Sequence, residues 1–186
     1  NNLANSYKAI GDFEKAEFFY TNILKIKPDY IQALNNYANL KTLIFDYNSA
    51  INLYNKALKI NKKDTTILFA LANAYHAMGE TKKTEEIASR ILKLNPKHVS
   101  THKLLSSIID YSKDEANLGQ MKDIISLKDL PNTQIIDLSF ALGKAYEDLK
   151  KFEKSFLYLE KANKIKKIDV NFNITKEKNF FKSIKN

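Results

Sequence analysis

The sequence predicts an all-α protein, a solenoid of about five helix-turn-helix units followed by a C-terminal helix. Two observations carry that prediction. The words LANSYKAIGD at 3–12 and LANAYHAMGE at 71–80 agree at six of ten positions, and YANLKTLIFD at 37–46 lies midway, giving a period of 34. At that period small residues fall in one column, Ala4, Ala38, Ala72 and Ser106, each preceded by a larger apolar one, Leu3, Tyr37, Leu71 and Leu105. Small beside large at the same place in every unit lets neighbouring helices approach and interlock.

The elements follow in order. In the first unit Leu3, Ala4 and Tyr7 lie on one helical face, and Gly11 before Asp12 marks a stop and a tight turn. Phe13, Ala16, Tyr20, Ile23 and Leu24 then space a second amphipathic helix, which ends at Pro28. The second unit keeps Tyr37-Ala38, Ala50, Tyr54, Ala57 and Leu58, with Phe45 in the glycine column and Lys62 in the proline column. The third restores Leu71-Ala72, Tyr75, Gly79 and Pro96. In the fourth, the first helix reads through THKLLSSIIDY, whereas Leu118 and Gly119 stand where a small alanine is expected in the second. Three extra residues precede the fifth unit, so a local distortion is expected at 112–132. The fifth recovers the pattern with Leu142-Gly143, Tyr146, Phe152, Ser155, Leu159 and Ala162.

Helix, turn, helix and proline-marked turn on these residues resemble the tetratricopeptide repeat (TPR) family. The resemblance implies a right-handed superhelix over 1–167, with units at 1–30, 31–64, 65–98, 99–135 and 136–167, and a capping or linker helix at 168–186. The stretch ALGKAYEDLKKFEKSFLYLEKANKIKK, followed by TKEKNFFKSIKN, is also similar to the end of the repeat region in bacterial proteins that carry a sulfotransferase domain downstream. That narrower resemblance implies the non-catalytic front of a larger enzyme. The chain opens on Asn1 inside a helical pattern, which fits a fragment.

Composition excludes several chemistries. There is no cysteine, so disulfides, thiolate metal sites and a cysteine nucleophile are ruled out. None of the four glycines builds a phosphate cradle. The formal charge of +9 is concentrated at the end, where 150–186 holds 11 Lys against 4 acids. Arg90 is the sole arginine, which argues against bidentate nucleic-acid readout. No apolar run is long enough to span a bilayer, and a cytoplasmic location is expected. His98 and His102 have the spacing of a metal pair, but no third ligand is placed to join them and His102 falls at a packing position. Glu147 and Asp148 read as a solvated acidic pair. No cofactor, catalytic residue or metal site is expected in this chain.

The remaining face of each first helix forms a polar stripe, expected to line the concave side of the superhelix. It comprises Asn1, Asn5 and Lys8; Gln32, Asn35, Asn39 and Thr42; Thr66, Phe69, Asn73 and His76; and Ser100, Lys103, Ser107 and Asp110. Asn5, Asn39 and Asn73 repeat at the period, and an amide side chain can bracket a peptide backbone with both donor and acceptor. Phe69 reads as an apolar docking point. Family members that clamp a chaperone's C-terminal carboxylate use lysine and arginine beside two asparagines. Here Asn5 and Asn36 fit the asparagines, whereas Asn1, Thr66 and Ala70 replace the cations, so that reading is rejected. In the tail Thr175 caps a helix with Phe180, Phe181 and Ile184 on one face. The expected partner is a protein or extended peptide, or the chain's own downstream catalytic domain, and not nucleic acid. The alternatives are a free-standing scaffold for complex assembly and an electrostatic tether through the Lys-rich end.

Overall fold

The computed structural model describes residues 1–115 and 117–169; the expected helix at 168–186 lies almost wholly outside them. Ten α-helices and no strand occur among the described residues. They fall into two compact units, Asn1–Ile108 and Ile109–Asn186.

The first unit holds α1 (Asn2–Ala9), α2 (Phe13–Ile26), α3 (Ile31–Leu43), α4 (Tyr47–Ile60), α5 (Thr65–Ala77), α6 (Thr81–Leu94) and α7 (Val99–Ser106). The helices pair as α1 with α2, α3 with α4 and α5 with α6, and α2 packs on α3 and α4 on α5. Asp12, Asp46 and Asp64 start α2, α4 and α5 by accepting backbone N–H bonds from Lys15, Ser49 and both Thr66 and Ile67. The turn inside each pair is left-handed: Gly11 has φ +82° and Gly79 +74°, and Phe45 at +62° adopts the same turn despite its Cβ. Between pairs, Pro28 is replaced by Lys62 without loss of the turn. There Asn61 Oδ1 accepts the Lys63 N–H at 3.3 Å, and Asn95 Oδ1 accepts that of Lys97 at 3.1 Å.

The small-residue column is the core. Ala4, Ala38, Ala72 and Ser106 are buried, as are Tyr20 and Tyr54 on the second helices. A lysine lies over a tyrosine ring in each of three pairs: Lys15 on Tyr7 at 5.3 Å, Lys83 on Tyr75 at 5.2 Å and, in the second unit, Lys154 on Tyr146 at 5.7 Å. In the second pair the column carries Lys41, which bonds Glu17 at 2.6 Å while Tyr37 Oη donates to Glu17 at 2.5 Å. Burial alone would raise the Glu17 pKa. The bonds from Lys41 and Tyr37 outweigh it and hold the carboxyl below its usual range.

The fourth repeat departs from the expectation. Its first helix does not run through THKLLSSIIDY but stops at Ser106. Ser106 Oγ donates to Lys103 O and Ser107 Oγ to Leu104 O, both at 2.7 Å, competing with the helical ladder. The division between the two units falls just beyond.

The second unit holds α8 (Leu118–Ile125), α9 (Asn132–Asp148) and α10 (Phe152–Asp169), with α9 against both others. Lys150, between α9 and α10, has φ +57° and continues the left-handed turn column. Gly143 takes the small-residue place, and a Cβ there would stand 2.6 Å from Leu159 Cδ2. Asp148 is not the solvated acid the sequence suggested. It is half-buried, accepting the Tyr111 N–H at 3.0 Å and Lys144 Nζ at 2.5 Å, so it ties the segment before α8 to α9.

Candidate functional site

The first helices α1, α3, α5 and α7 carry the polar stripe. Gln32, Thr66, Asn73, His76, Lys103 and Ser107 are exposed, and Asn5, Lys8, Asn35, Asn39, Thr42 and Phe69 are half-buried. All twelve lie in the first unit. Asp110 does not continue the stripe. It lies past the end of α7, in the second unit, where it accepts from Ser112 and pairs with Lys113 at 2.9 Å.

The asparagine ladder is not uniform. Tyr20 Oη donates to Asn5 Oδ1, and Tyr54 Oη donates to Asn39 Oδ1 at 2.6 Å. Both tyrosines stand on the second helix of the same pair, fifteen residues on, and burial pushes both phenols above their ordinary pKa. Thr42 Oγ1 also reaches Tyr54 Oη at 3.3 Å. In the third pair that tyrosine column is Ala88, and Asn73 instead donates from Nδ2 to Phe69 O at 3.0 Å. Asn5 and Asn39 therefore do not offer a carbonyl and an amide together, since their carbonyls serve the core and only the Nδ2 groups remain. Asn73 keeps its Oδ1. Asn35 Oδ1 is enclosed without a hydrogen-bond partner, so that oxygen does not face a ligand.

Phe69 is not a bare apolar spot either. It packs against the core of the first unit, and its ring meets that of His98 at 5.2 Å. Sequence spacing missed this because the contact joins α5 to the turn before α7. The histidines are occupied structurally: His98 Nδ1 bonds Thr101 Oγ1 and His102 Nε2 bonds Pro96 O, both at 2.8 Å. Among the described residues no group of three or more His, Cys, Asp or Glu is arranged to hold a metal ion, and no helix is long and apolar enough to cross a membrane.

Paired helices of fixed period, left-handed turns within pairs and a small-residue core column define a helical-repeat protein. The match to known families is specific. A model described as "Tetratricopeptide repeat" matches 1–30, 65–98 and 136–169, and one described as "TPR repeat" matches 46–79. The chain belongs to the tetratricopeptide repeat family.

Among relatives, 164 residues are 32% identical to mouse (Mus musculus) protein O-mannosyl-transferase TMTC1, covering 87% of this chain and 17% of that protein. An uncharacterized protein of Aquifex aeolicus (strain VF5) is 26% identical over 106 residues, 57% of this chain and 14% of that one. The chain thus spans less than a fifth of either relative. Among solved structures, MamA is similar with a TM-score of 0.75 at 20% identity, covering 91% of this chain and 98% of that one. YrrB, described as a TPR protein with an unusual peptide-binding site, gives 0.61 at 19% identity, covering 88% and 83%. At those identities the structures establish the all-α repeat fold.

Proposed function

We propose that this chain is a non-catalytic binding module whose first-helix face in the first unit holds an extended segment of a partner protein by its backbone. One observation carries the reading. Tyr20 and Tyr54 fix the Asn5 and Asn39 amides by their oxygens, so each Nδ2 is oriented and left without a hydrogen-bond partner among the described residues. Two pre-oriented donors one repeat apart, with Asn73 Oδ1 as an acceptor in the next repeat, match the alternating demands of a peptide backbone. Gln32, Thr66, His76, Lys103 and Ser107 border that row and read the peptide's side chains. Family membership and the peptide-binding site named for YrrB support the class of ligand.

The narrower reading places the module ahead of a catalytic domain, sulfotransferase-like by the wording of the fifth unit. A long transferase among the relatives supports a repeat stretch being carried within a much larger enzyme. Reading the gene past codon 186 tests it, and a termination codon there would overturn it. For the binding face, Asn39→Asp keeps the acceptor for Tyr54 and removes the donor. Binding to an array of extended peptides should fall at least about tenfold in this variant, the worth of one buried hydrogen bond. Unchanged binding would move the site off this face.

A further inference from the structure

The two ends of the helix pairs in the first unit are built differently. At the end where α1 turns into α2, α3 into α4 and α5 into α6, lysines are held by carboxylates. Lys15 meets Asp12 at 2.7 Å, Lys41 meets Asp46 at 3.6 Å and Lys83 meets Glu80 at 3.3 Å. At the opposite end the sequence reads KIKPDY at 25–30, KINKKD at 59–64 and KLNPKH at 93–98, seven lysines against two acids. All seven lysines are exposed. Among the described residues none of them bridges a carboxylate. One of the two acids, Asp64, is already committed to the backbone N–H groups that start α5. Helix dipoles account for Lys25, Lys59 and Lys93, which stand in the last turns of α2, α4 and α6. They do not account for Lys27, Lys62, Lys63 and Lys97, which lie beyond the helices. Each cluster also holds up an aliphatic side chain. Ile26, Ile60 and Leu94 are the final residues of those helices, 34 residues apart, and are 88%, 48% and 39% exposed. A single exposed isoleucine is ordinary. One in each of three repeats, at the same end and beside a lysine every time, is a pattern.

We propose that this edge of the first unit adsorbs to an anionic lipid bilayer, with the lysines at the headgroups and the three aliphatic side chains entering the boundary beneath them. The chemistry fits lipid better than protein. Protein interfaces are poor in lysine and centre on aromatic and arginine anchors. Here the exposed apolar tips are all aliphatic, and Arg90, the chain's sole arginine, is turned onto Lys62 O. A lysine acts as a compact point charge that needs no fixed partner geometry, which suits mobile phosphate and carboxylate headgroups. The opposite end supplies the contrast within the same three repeats. Ile10, Ile44 and Met78 are exposed there too, but the lysines around them are already neutralised by Asp12, Asp46 and Glu80. The proposal does not depend on the first-helix face.

The chain has no tryptophan, so an introduced one reports its own surroundings in the full-length protein. Ile26→Trp should shift its emission to the blue with vesicles of phosphatidylserine and phosphatidylcholine in equal parts, and not with phosphatidylcholine alone. Ile10→Trp, at a site 75% exposed on the opposite end, should keep its emission unchanged. In co-sedimentation with the same vesicles, Lys27→Gln, Lys63→Gln and Lys97→Gln together should weaken partition about a hundredfold, since each lysine near such a surface is worth about fivefold. Ile26→Ser, Ile60→Ser and Leu94→Ser together should weaken it at least about tenfold at unchanged charge. Far-UV circular dichroism checks that each variant keeps its helices. Equal blue shifts at the two tryptophan positions, or no partition of the parent protein, would overturn the proposal. Partition that ignores both triple variants would overturn it and assign the contact to the Lys-rich C-terminal end. Binding of polyglutamate or RNA that the lysine variant loses, with vesicles left unbound, would overturn it in favour of an acidic macromolecule.

Discussion

Removing the Asn39 side chain tests whether the asparagine ladder is part of the core or only of its surface. Asn39 Oδ1 accepts from a tyrosine that is 1% exposed, at 2.6 Å, so Asn39→Ala strands a buried hydroxyl. Thr42 Oγ1 stands 3.3 Å from the same oxygen and recovers part of the loss. A stranded buried donor costs about 1–3 kcal/mol, and with that partial rescue we expect about 1–1.5 kcal/mol for Asn39→Ala. Tyr54→Phe should cost a similar amount, and the double variant should cost little more than either single one. That gives a coupling of about 1 kcal/mol in a double-mutant cycle. Asn73 is the internal control. Its tyrosine column is Ala88 and its side chain bonds within its own helix, to Phe69 O, so Asn73→Ala should stay within about 0.5 kcal/mol of the parent. Urea denaturation followed by circular dichroism at 222 nm, the usual helix wavelength, reads all five proteins. A coupling below about 0.3 kcal/mol would refute the reasoning, because independent sites add within that error. So would equal costs at Asn39 and Asn73.

Three further outcomes follow from the same structure. Phe45→Gly should stabilise the first unit by about 0.5–1 kcal/mol, since the left-handed conformation costs a residue with a Cβ about 1–2 kcal/mol and glycine returns part of that as chain entropy; a lower urea midpoint would contradict it. Burial lowers the pKa of His98 and of His102 below the ordinary 6.5. Below pH 6.5 the unfolded chain therefore binds protons that the folded chain refuses, and stability falls with acid by at most about 1.4 kcal/mol per pH unit for each histidine. His102→Gln should flatten the pH 5–6.5 stability profile, and an unchanged slope would refute the assignment. Hydrogen exchange should be faster at 107–110 than in any helix of the first unit away from α1, because those residues lie beyond the end of α7; protection equal to that of α5 would contradict it.

Much of the architecture could be read from spacing alone. Ala4, Ala38 and Ala72, the Gly11 and Gly79 turns and the Pro28 and Pro96 breaks are local signals, each acting within a few residues of chain. What escaped was every feature that needs two helices at once. Tyr20 and Tyr54 read as ordinary core aromatics, and nothing fifteen residues upstream marks Asn5 and Asn39 as their acceptors. Phe69 looked exposed because a helical wheel contains no His98. The early stop of α7 was hidden for a different reason. Ser106 and Ser107 are tolerable in a helix, and only the absence of a helical continuation reveals that their hydroxyls have taken the carbonyls of Lys103 and Leu104. Phe45 stood in the glycine column, and its φ, like that of Lys150, shows that the left-handed turn is kept without a glycine.

The lysines over Tyr7, Tyr75 and Tyr146 make the protein's response to covalent modification depend on the chemistry of the modifier. Reductive methylation keeps the positive charge of an amine, so Lys15, Lys83 and Lys154 would retain their hold on the rings, with a larger and less hydrated cation pressed to the same face. Acetylation of the same three amines removes the charge and leaves a neutral amide over each tyrosine. Two modifiers of similar bulk at the same nitrogens therefore act in opposite senses, one preserving the brace inside each helix pair and the other dissolving it, in a protein where lysine supplies 29 of the 30 basic side chains.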